Sequence, residues 1–283
     1  MQRARTALQS PRAERRPLRI MCLNGWGGTL HDAIVAYLRE SSPDVLCLQE
    51  VVHSPETEKD WLTYRDGDHV LPQRANFFRD VQAALPGHVG TFCPAAQGVL
   101  WDGETVVPSQ WGLATFVHEK FPVIAQAQNF VHKGFSPHGY GEHPRSRTAH
   151  AVRVYDYERD WPVTIAHMHG LRDLAGKMDT PARLEQARRF AAVVAAVTGP
   201  GDRLVVCGDF NVEPDSGTFA ALAGFGLTEL VTARGFAGTR SSHYHKPGRF
   251  ADYMLVNEAI TVLGFDVVEA PEVSDHRPLI LEI

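Results

Sequence analysis

The chain has 283 residues and a formal net charge of −5, from 28 Lys and Arg against 33 Asp and Glu. Its hydrophobic fraction of 44% and charged fraction of 22% are typical of globular proteins and exclude collagen-like, coiled-coil and wholly disordered chains. No apolar run approaches the roughly 20 residues of a membrane-spanning helix. The acidic balance disfavours a histone-like grip on nucleic acid, and four cysteines are too few for a disulfide framework.

The first 17 residues differ from the rest of the chain, since they contain five Arg and two Pro and no apolar stripe. They lack the apolar segment of a secretory signal peptide, so we expect a disordered basic tail and a cytoplasmic protein. No repeat or low-complexity linker interrupts residues 18–283, which favours a single domain. We take a monomer as the default state.

Short apolar runs predict strands that are covered on both faces. In chain order they span residues 18–23, 44–48, 163–166, 204–207, 253–256 and 279–281, with a weaker run at 112–117. Helices are predicted over residues 30–38 and 76–85 from apolar residues at helical spacing. A further helix begins at Pro181, after the N-cap Thr180, and ends before Gly199. Strands that alternate with helices indicate an α/β protein.

Polar and titratable side chains stand at the ends of six of these runs. They are Asn24, Glu50, His167, Asp209 with Asn211, Asp252, and Asp275 with His276. Because the ends of buried strands line the ligand crevice in layered α/β folds, we expect these side chains to converge on one site. Each of them alone would more often be a turn or cap residue, but that interpretation would have to hold at all six strand ends.

The donor atoms of this set indicate the chemistry of the site. Carboxylates and amides with few imidazoles suit a hard cation, Mg²⁺ with Mn²⁺ as the alternative, better than Zn²⁺. Without a cation the carboxylates would repel one another and raise each other's pKa values. No Ser–His or Cys–His arrangement stands out, so water is the expected nucleophile.

Three motifs carry a family resemblance. Leu48-Gln49-Glu50, Gly208-Asp209-Phe210-Asn211 and Ser274-Asp275-His276-Arg277-Pro278, in that order and with Asn24 upstream, resemble the endonuclease/exonuclease/phosphatase family. The resemblance covers about residues 18–283. It implies a four-layer α/β sandwich, in which two mainly antiparallel or mixed sheets pack face to face with helices outside, and it implies metal-dependent hydrolysis of phosphoesters.

The resemblance also implies roles for single residues. The implied metal ligands are Asn24, Glu50 and Asp275, and the implied catalytic side chains are His167, Asp209, Asn211, Asp252 and His276. Asp209 would orient or deprotonate the attacking water, and Asp275 would orient the imidazole of His276. We favour His167 over His169 as the histidine that faces the site, because His167 directly follows the apolar run.

Candidate substrate contacts are His169, Arg147, Arg240 and Tyr244. An exposed loop position is the alternative for Arg147. Residues 239–250, which contain Arg240 and Tyr244, predict either a segment that grips phosphate or a solvated hairpin. Residues 170–179 would form a rim of the site.

Residues 129–150 contain four histidines among glycines and prolines. Their spacing fits no tight zinc pattern, so a mobile, solvated loop is favoured over a second metal site.

Three functions remain open at this point. A metal-dependent phosphodiesterase or phosphatase acting on a small or lipid-derived phosphoester is favoured, because the basic residues are dispersed in loops. A DNA or RNA nuclease is the alternative, which the net charge disfavours. A non-catalytic binding module on the same fold is the third hypothesis.

Overall fold

The computed structural model describes residues 16–283, so nearly all of the basic tail expected over residues 1–17 lies outside the described residues. The strands, numbered in chain order, are β1 (Arg19–Asn24), β2 (Val45–His53), β3 (Trp61–Asp66), β4 (His69–Arg74), β5 (His88–Asp102), β6 (Thr105–His118), β7 (Val123–His132), β8 (Arg147–Asp156), β9 (Trp161–His169), β10 (Arg203–Asp209), β11 (Leu227–Glu229), β12 (Asp252–Asn257), β13 (Gly264–Val267) and β14 (Leu279–Glu282). The helices are α1 (His31–Ser41), α2 (Phe77–Ala84), α3 (Pro181–Ala195), α4 (Gly217–Leu222) and α5 (Leu230–Ala233), and short 3₁₀ turns cover Trp26–Gly28 and Ala223–Phe225.

The strands form two sheets. The first has eight strands in the order β13-β14-β1-β2-β6-β5-β3-β4, and the second has six in the order β11-β12-β10-β9-β8-β7. The β1–β2 and β9–β10 pairs are parallel, whereas the other pairs are antiparallel. Both sheets are therefore mixed and mainly antiparallel, as the family resemblance implies.

Strand β1 shows why the predicted runs are continuously apolar. Ile20 and Cys22 belong to the core cluster between the two sheets, which also contains Val163 and Val205 of the second sheet. Met21, between them in sequence, belongs to the cluster on the outer face of the first sheet. Because successive side chains of a strand point to opposite faces, a strand covered on both faces needs apolar residues at every position.

Helices cover the outer face of each sheet. Ile34 of α1 and Phe77 of α2 pack against the first sheet, and Phe190 of α3 packs against the second. Helix α3 begins as expected, because the Thr180 hydroxyl accepts a 3.2 Å hydrogen bond from the Arg183 N–H. The four-layer α/β sandwich is confirmed.

The structure corrects the prediction for residues 129–150. His132 ends β7 and Arg147 begins β8, while His150 is buried inside β8. Residues 133–146 between the strands form a partly exposed loop, which three backbone hydrogen bonds join to β5. Within residues 16–283, no helix is long and apolar enough to cross a membrane.

Candidate active site

A cleft of about 1390 Å³ opens at the edge where the two sheets present the ends of their central strands. Asp209 is the last residue of β10, and the register places it beside His169 at the end of β9 and Asp252 at the start of β12. Asn24, at the end of β1, reaches the same place from the first sheet. The strand ends therefore do converge, as the sequence predicts.

Asp209 lies at the centre of this group. Its Oδ2 accepts a 3.0 Å hydrogen bond from Asn24 Nδ2, and its Oδ1 accepts one of 3.0 Å from the Asn211 N–H. The same Oδ2 lies 3.6 Å from His169 Nε2 and 3.7 Å from His276 Nε2. Asp209 is buried, so these four neighbours fix the orientation of its carboxylate.

Glu50 enters the cleft through an irregularity in β2. The register of β2 with β6 shifts between Leu48 and Val51, and Glu50 has a φ of +54° inside this bulge. Leu48 and Val51 stay buried in the core, so the bulge allows Glu50 to turn away from it into the cleft. Its Oε1 lies 3.9 Å from His169 Nε2.

In the Gly208-Asp209-Phe210-Asn211 motif, alternate side chains point into the cleft and into the hydrophobic core. Phe210 packs in the core against Phe190 and Tyr253, while Asp209 and Asn211 face the cleft. Gly208 has a φ of +140°, and a Cβ at this position would stand 2.2 Å from the Met168 carbonyl oxygen. The close approach of β10 to β9 therefore requires glycine here.

His276 is oriented by Asp252, and the expectation that Asp275 orients it is wrong. His276 Nδ1 lies 2.8 Å from Asp252 Oδ2, and that oxygen also accepts a 2.8 Å hydrogen bond from the Thr239 hydroxyl. The nearest Asp275 oxygen is 3.9 Å from His276 Nε2. The carboxylate neighbour makes Nδ1 the protonated nitrogen, which leaves a lone pair on Nε2.

Arg240 occupies the other side of His276. Its Nη1 contacts His276 Nε2 and donates a 3.0 Å hydrogen bond to Asp275 Oδ2. The guanidinium stacks on the Tyr244 ring at 4.3 Å, and both side chains line the cleft. Arg240 and Tyr244 of the segment 239–250 therefore face the site, while His245, Lys246 and Pro247 are exposed to solvent and the segment contains no strand pair.

The preference for His167 over His169 is wrong. His167 is buried between the sheets, with Nδ1 3.0 Å from Gln49 Nε2 and Nε2 2.8 Å from Thr115 Oγ1. It does not line the cleft, whereas His169 does. Strand β9 continues three residues past the apolar run, so His169 and not His167 reaches the strand end. The two side chains share one face of the strand, and only the second one reaches the site.

Arg147 also belongs to the site and is not an exposed loop residue. It is buried, its Nε donates a 2.9 Å hydrogen bond to the Gly170 carbonyl, and its guanidinium lies 4.9 Å from the centre of the Trp111 ring. The Trp111 and His169 rings are 5.3 Å apart. Trp111 was not expected from the sequence, because no motif marks it and only the pairing of β6 with β2 brings it here.

The electrostatics of the site reflect crowded carboxylates. Burial, followed by the charges of Asp275 and Asp209, raises the pKa of Glu50 to about 7. Burial likewise raises the pKa of Asp252 to about 6, against the opposing effect of Arg240. Burial and then the Arg240 charge lower the pKa of His276 to about 4. We call the part of the cleft lined by Glu50, Asp209, Asp275 and His276 together with His169 and Arg147 the carboxylate end.

The donor set of the carboxylate end fits a divalent cation. Glu50 and Asp275 are oxygen donors whose mutual repulsion a cation would relieve. The ligand atoms of Asp209, Asp252 and His276 also lie within 4.8 Å of one another. Asp252 and His276 of this trio already form a hydrogen bond with each other, however. The ligand atoms that are more available to a cation are therefore those near Glu50.

Comparisons with known proteins agree with this geometry. A model of the endonuclease/exonuclease/phosphatase family matches residues 22–276. No curated protein sequence matches the chain.

Three solved structures illustrate the structural likeness. A mannosyl-6-phosphatase of Bacteroides thetaiotaomicron VPI-5482 is similar with a TM-score of 0.66 and 15% identity, over 94% of this chain and 98% of that chain. The human Nocturnin catalytic domain with bound sulfate is similar with a TM-score of 0.63 and 20% identity, over 95% of each chain. D. rerio TDP2 complexed with single-strand DNA product is similar with a TM-score of 0.60 and 14% identity, over 94% of this chain and 98% of that chain. At these identities the likeness shows the fold alone.

Proposed function

Because the chain belongs to the endonuclease/exonuclease/phosphatase family, we propose that it is a divalent-metal-dependent hydrolase of a small or lipid-derived phosphoester, with water as the nucleophile. The nucleases and phosphatases that give the family its name act on phosphoester bonds. The observation that carries the proposal is the convergence of three carboxylates, two histidines and two arginines at one end of one cleft.

The proposed ion is Mg²⁺ or Mn²⁺, held by Glu50 and Asp275 with the Asn24 amide oxygen, which also accepts the Trp26 N–H. Such an ion supplies charge neutralisation on the phosphate oxygens and polarises the phosphorus centre. The donor chemistry and the raised pKa of Glu50 support this assignment.

Asp209 is the proposed base or orienting group for the attacking water. Its carboxylate is held by Asn24 and by the Asn211 N–H, so it is fixed before substrate binds. A carboxylate that is already oriented loses no conformational freedom when the reaction begins, which is the advantage of preorganised groups.

The proposed stabilisers of charge on the phosphate are His169, Asn211, Arg147 and Arg240. The lone pair of His276 Nε2 faces Arg240, so we assign His276 to positioning that guanidinium and Asp252 to positioning His276. These assignments differ from the roles that the resemblance implies, in which His276 itself contacts the phosphate or acts in acid/base chemistry.

The test is a panel of phosphoesters assayed with Mg²⁺, Mn²⁺ and Ca²⁺, covering phosphomonoesters, phosphodiesters, oligonucleotides and plasmid. Asp209→Asn is the catalytic variant, and Asp215→Asn, on the cleft wall with no assigned role, is its matched control. We expect Asp209→Asn to lose about 10²-fold or more in kcat and Asp215→Asn to keep wild-type activity. Equal activity of Asp209→Asn and wild type would contradict the proposal, and preference for nucleic acid with steep salt dependence would favour a nuclease.

A further inference from the structure

The composition of the cleft changes along its length. Away from the carboxylate end, part of its wall is apolar and aromatic and lies among polar lining side chains such as Asp66, His69, Gln73 and His143. The side chains of this apolar wall are Val52, Leu71, Ala96, Leu100, Trp111 and Tyr140. At about 1390 Å³ the cleft exceeds the size of ordinary small-molecule pockets, roughly 300–1,000 Å³, so a phosphate group fills only a small part of it.

The apolar wall is a packed part of the fold. Val52 and Leu100 are buried in a hydrophobic cluster, and Trp111 and Tyr140 pack against it. The Tyr140 ring lies 2.8 Å from where a Cβ at Gly98 would stand, so the absence of a side chain there lets the ring seat on β5. Three backbone hydrogen bonds of 2.8 to 3.2 Å join the segment that carries Tyr140 to the same strand. The wall is therefore preformed.

Arg145, a cationic side chain beside the apolar wall, is already paired with Asp66. Arg145 donates hydrogen bonds of 2.8 Å to Asp66 Oδ2 and 2.6 Å to the Tyr64 hydroxyl. Over its full length the cleft is lined by eight carboxylates and seven Lys or Arg side chains. A polyanion gains affinity from many unpaired Lys and Arg, so this composition does not suit a nucleic-acid strand.

Apolar side chains also stand at the mouth of the cleft. Leu174 is 70% exposed and Met178 is 65% exposed, and both line the cleft from the segment 170–179. These two side chains add apolar surface at the mouth of the same cleft.

We infer that the apolar wall binds the alcohol portion of the substrate, and that this portion is a single apolar group, alkyl or aryl, joined to a phosphate held at the carboxylate end. The inference rests on the proposed function and narrows its substrate class. Sugar phosphates and nucleic-acid strands are then poor substrates, because their alcohol portions are hydroxylated or charged.

The experiment compares n-alkyl phosphates of increasing chain length, phenyl and naphthyl phosphates, glycerol phosphate and an oligonucleotide. We expect kcat/KM to rise about threefold or more for each added methylene until the wall is filled, as for burial of a methylene from water. The alkyl and aryl series distinguish the two sources of an apolar group. Binding of the matching alkylphosphonates, measured by calorimetry, gives a readout that needs no turnover.

Neighbouring residues of β4 give a matched pair of variants. Leu71 lines the cleft and is partly buried, whereas Val70 is 59% exposed and does not line it. We expect Leu71→Asp to abolish the dependence of kcat/KM on chain length and Val70→Asp to leave that dependence unchanged. Leu174→Asp, at the exposed rim, should reduce the preference for the longest chains without disturbing the core.

The outcomes separate this inference from the proposed function. A flat chain-length series with measurable hydrolysis of glycerol phosphate, or an oligonucleotide as the best substrate, overturns the inference and leaves phosphoester hydrolysis standing. Chain-length-dependent binding of phosphonates without any hydrolysis supports the apolar site and contradicts the proposed function. Loss of the chain-length dependence in Val70→Asp as well as Leu71→Asp would also overturn the assignment to the cleft wall.

Discussion

Replacement of the two histidines of β9 by leucine tests the site assignment most sharply. His167 and His169 differ by two positions on one strand face, but only His169 lines the cleft. His169 Nε2 lies 3.6 Å from the central Asp209 carboxylate, whereas both ring nitrogens of His167 are within hydrogen-bonding distance of Gln49 and Thr115. His169→Leu should therefore lose activity, and His167→Leu should lose stability.

The magnitudes follow from these contacts. Removing one preorganised donor from a reaction centre costs about 10²–10³-fold in kcat, so we expect a loss of this size for His169→Leu. Its Nδ1 has no hydrogen-bond partner among the described residues, so the free energy of unfolding should change by less than about 1 kcal/mol. His167→Leu removes two buried hydrogen bonds, although Gln49 Nε2 keeps the Cys47 carbonyl at 3.3 Å and Thr115 Oγ1 keeps His150 Nδ1 at 2.7 Å, so the expected loss of stability is about 1–3 kcal/mol.

The assay combines kcat on the best substrate of the panel with urea unfolding followed by circular dichroism. Activity of His167→Leu should stay within about tenfold of wild type at a temperature where the variant is folded. If His167→Leu were stable and inactive while His169→Leu kept wild-type kcat, the orientation of β9 described above would be refuted.

Three further predictions concern the support of the site and the fold. Asp252→Asn removes the carboxylate that holds His276 Nδ1 and through it Arg240, so kcat should fall by up to about 10²–10³-fold with a small change in KM, measured by steady-state kinetics. Burial alone would raise the pKa of Asp202, but two 2.8 Å hydrogen bonds from the Arg153 guanidinium hold it below its usual value. This ion pair stabilises the fold fully above the unfolded-state pKa of about 3.9, and its contribution is lost as pH falls through the lower pKa of the folded state. Asp202→Asn should therefore lower the free energy of unfolding by about 2–4 kcal/mol at pH 7 and by progressively less below pH 4, as measured by urea titrations. Gly208→Ala should lower the melting temperature strongly, because its Cβ would stand 2.2 Å from a backbone carbonyl oxygen of β9.

Each of these predictions has a clear contrary result. Wild-type kcat in Asp252→Asn would remove its positioning role, and a pH-independent stability difference for Asp202→Asn would remove the ionic contribution. Gly103→Ala is the control for Gly208→Ala, since Gly103 also has a positive φ, of +59°, but no atom within 4 Å of its Cβ position. Equal destabilisation by the two alanines would show that backbone strain, and not the contact with β9, sets the requirement for glycine.

The sequence predicted the central strands well because both of their faces are buried. The predicted run at residues 204–207, for example, lies inside β10. Asp209, the polar residue that ends this strand, reaches the cleft as expected. The strands β3, β5 and β7 were not predicted, because one of their faces is exposed and their apolar residues alternate with polar ones. Their pairing depends on distant segments.

Two partners in the site could not be read from the sequence. His276 follows Asp275 directly, which suggests a pair, but the chain brings Asp252 to its Nδ1 from 24 residues away. His167 follows an apolar run, but Gln49 and Thr115 provide a polar niche for it between the sheets. In both cases a tertiary contact, which no local pattern encodes, decided the geometry.

The most direct test of the central proposal is the rate of phosphoester hydrolysis by metal-depleted protein to which Mg²⁺ is added back. We expect no turnover after treatment with chelator, full recovery with Mg²⁺, and a higher half-saturating Mg²⁺ concentration for Glu50→Gln, which removes one of the converging carboxylates. Undiminished hydrolysis by the chelated protein would contradict the proposed mechanism.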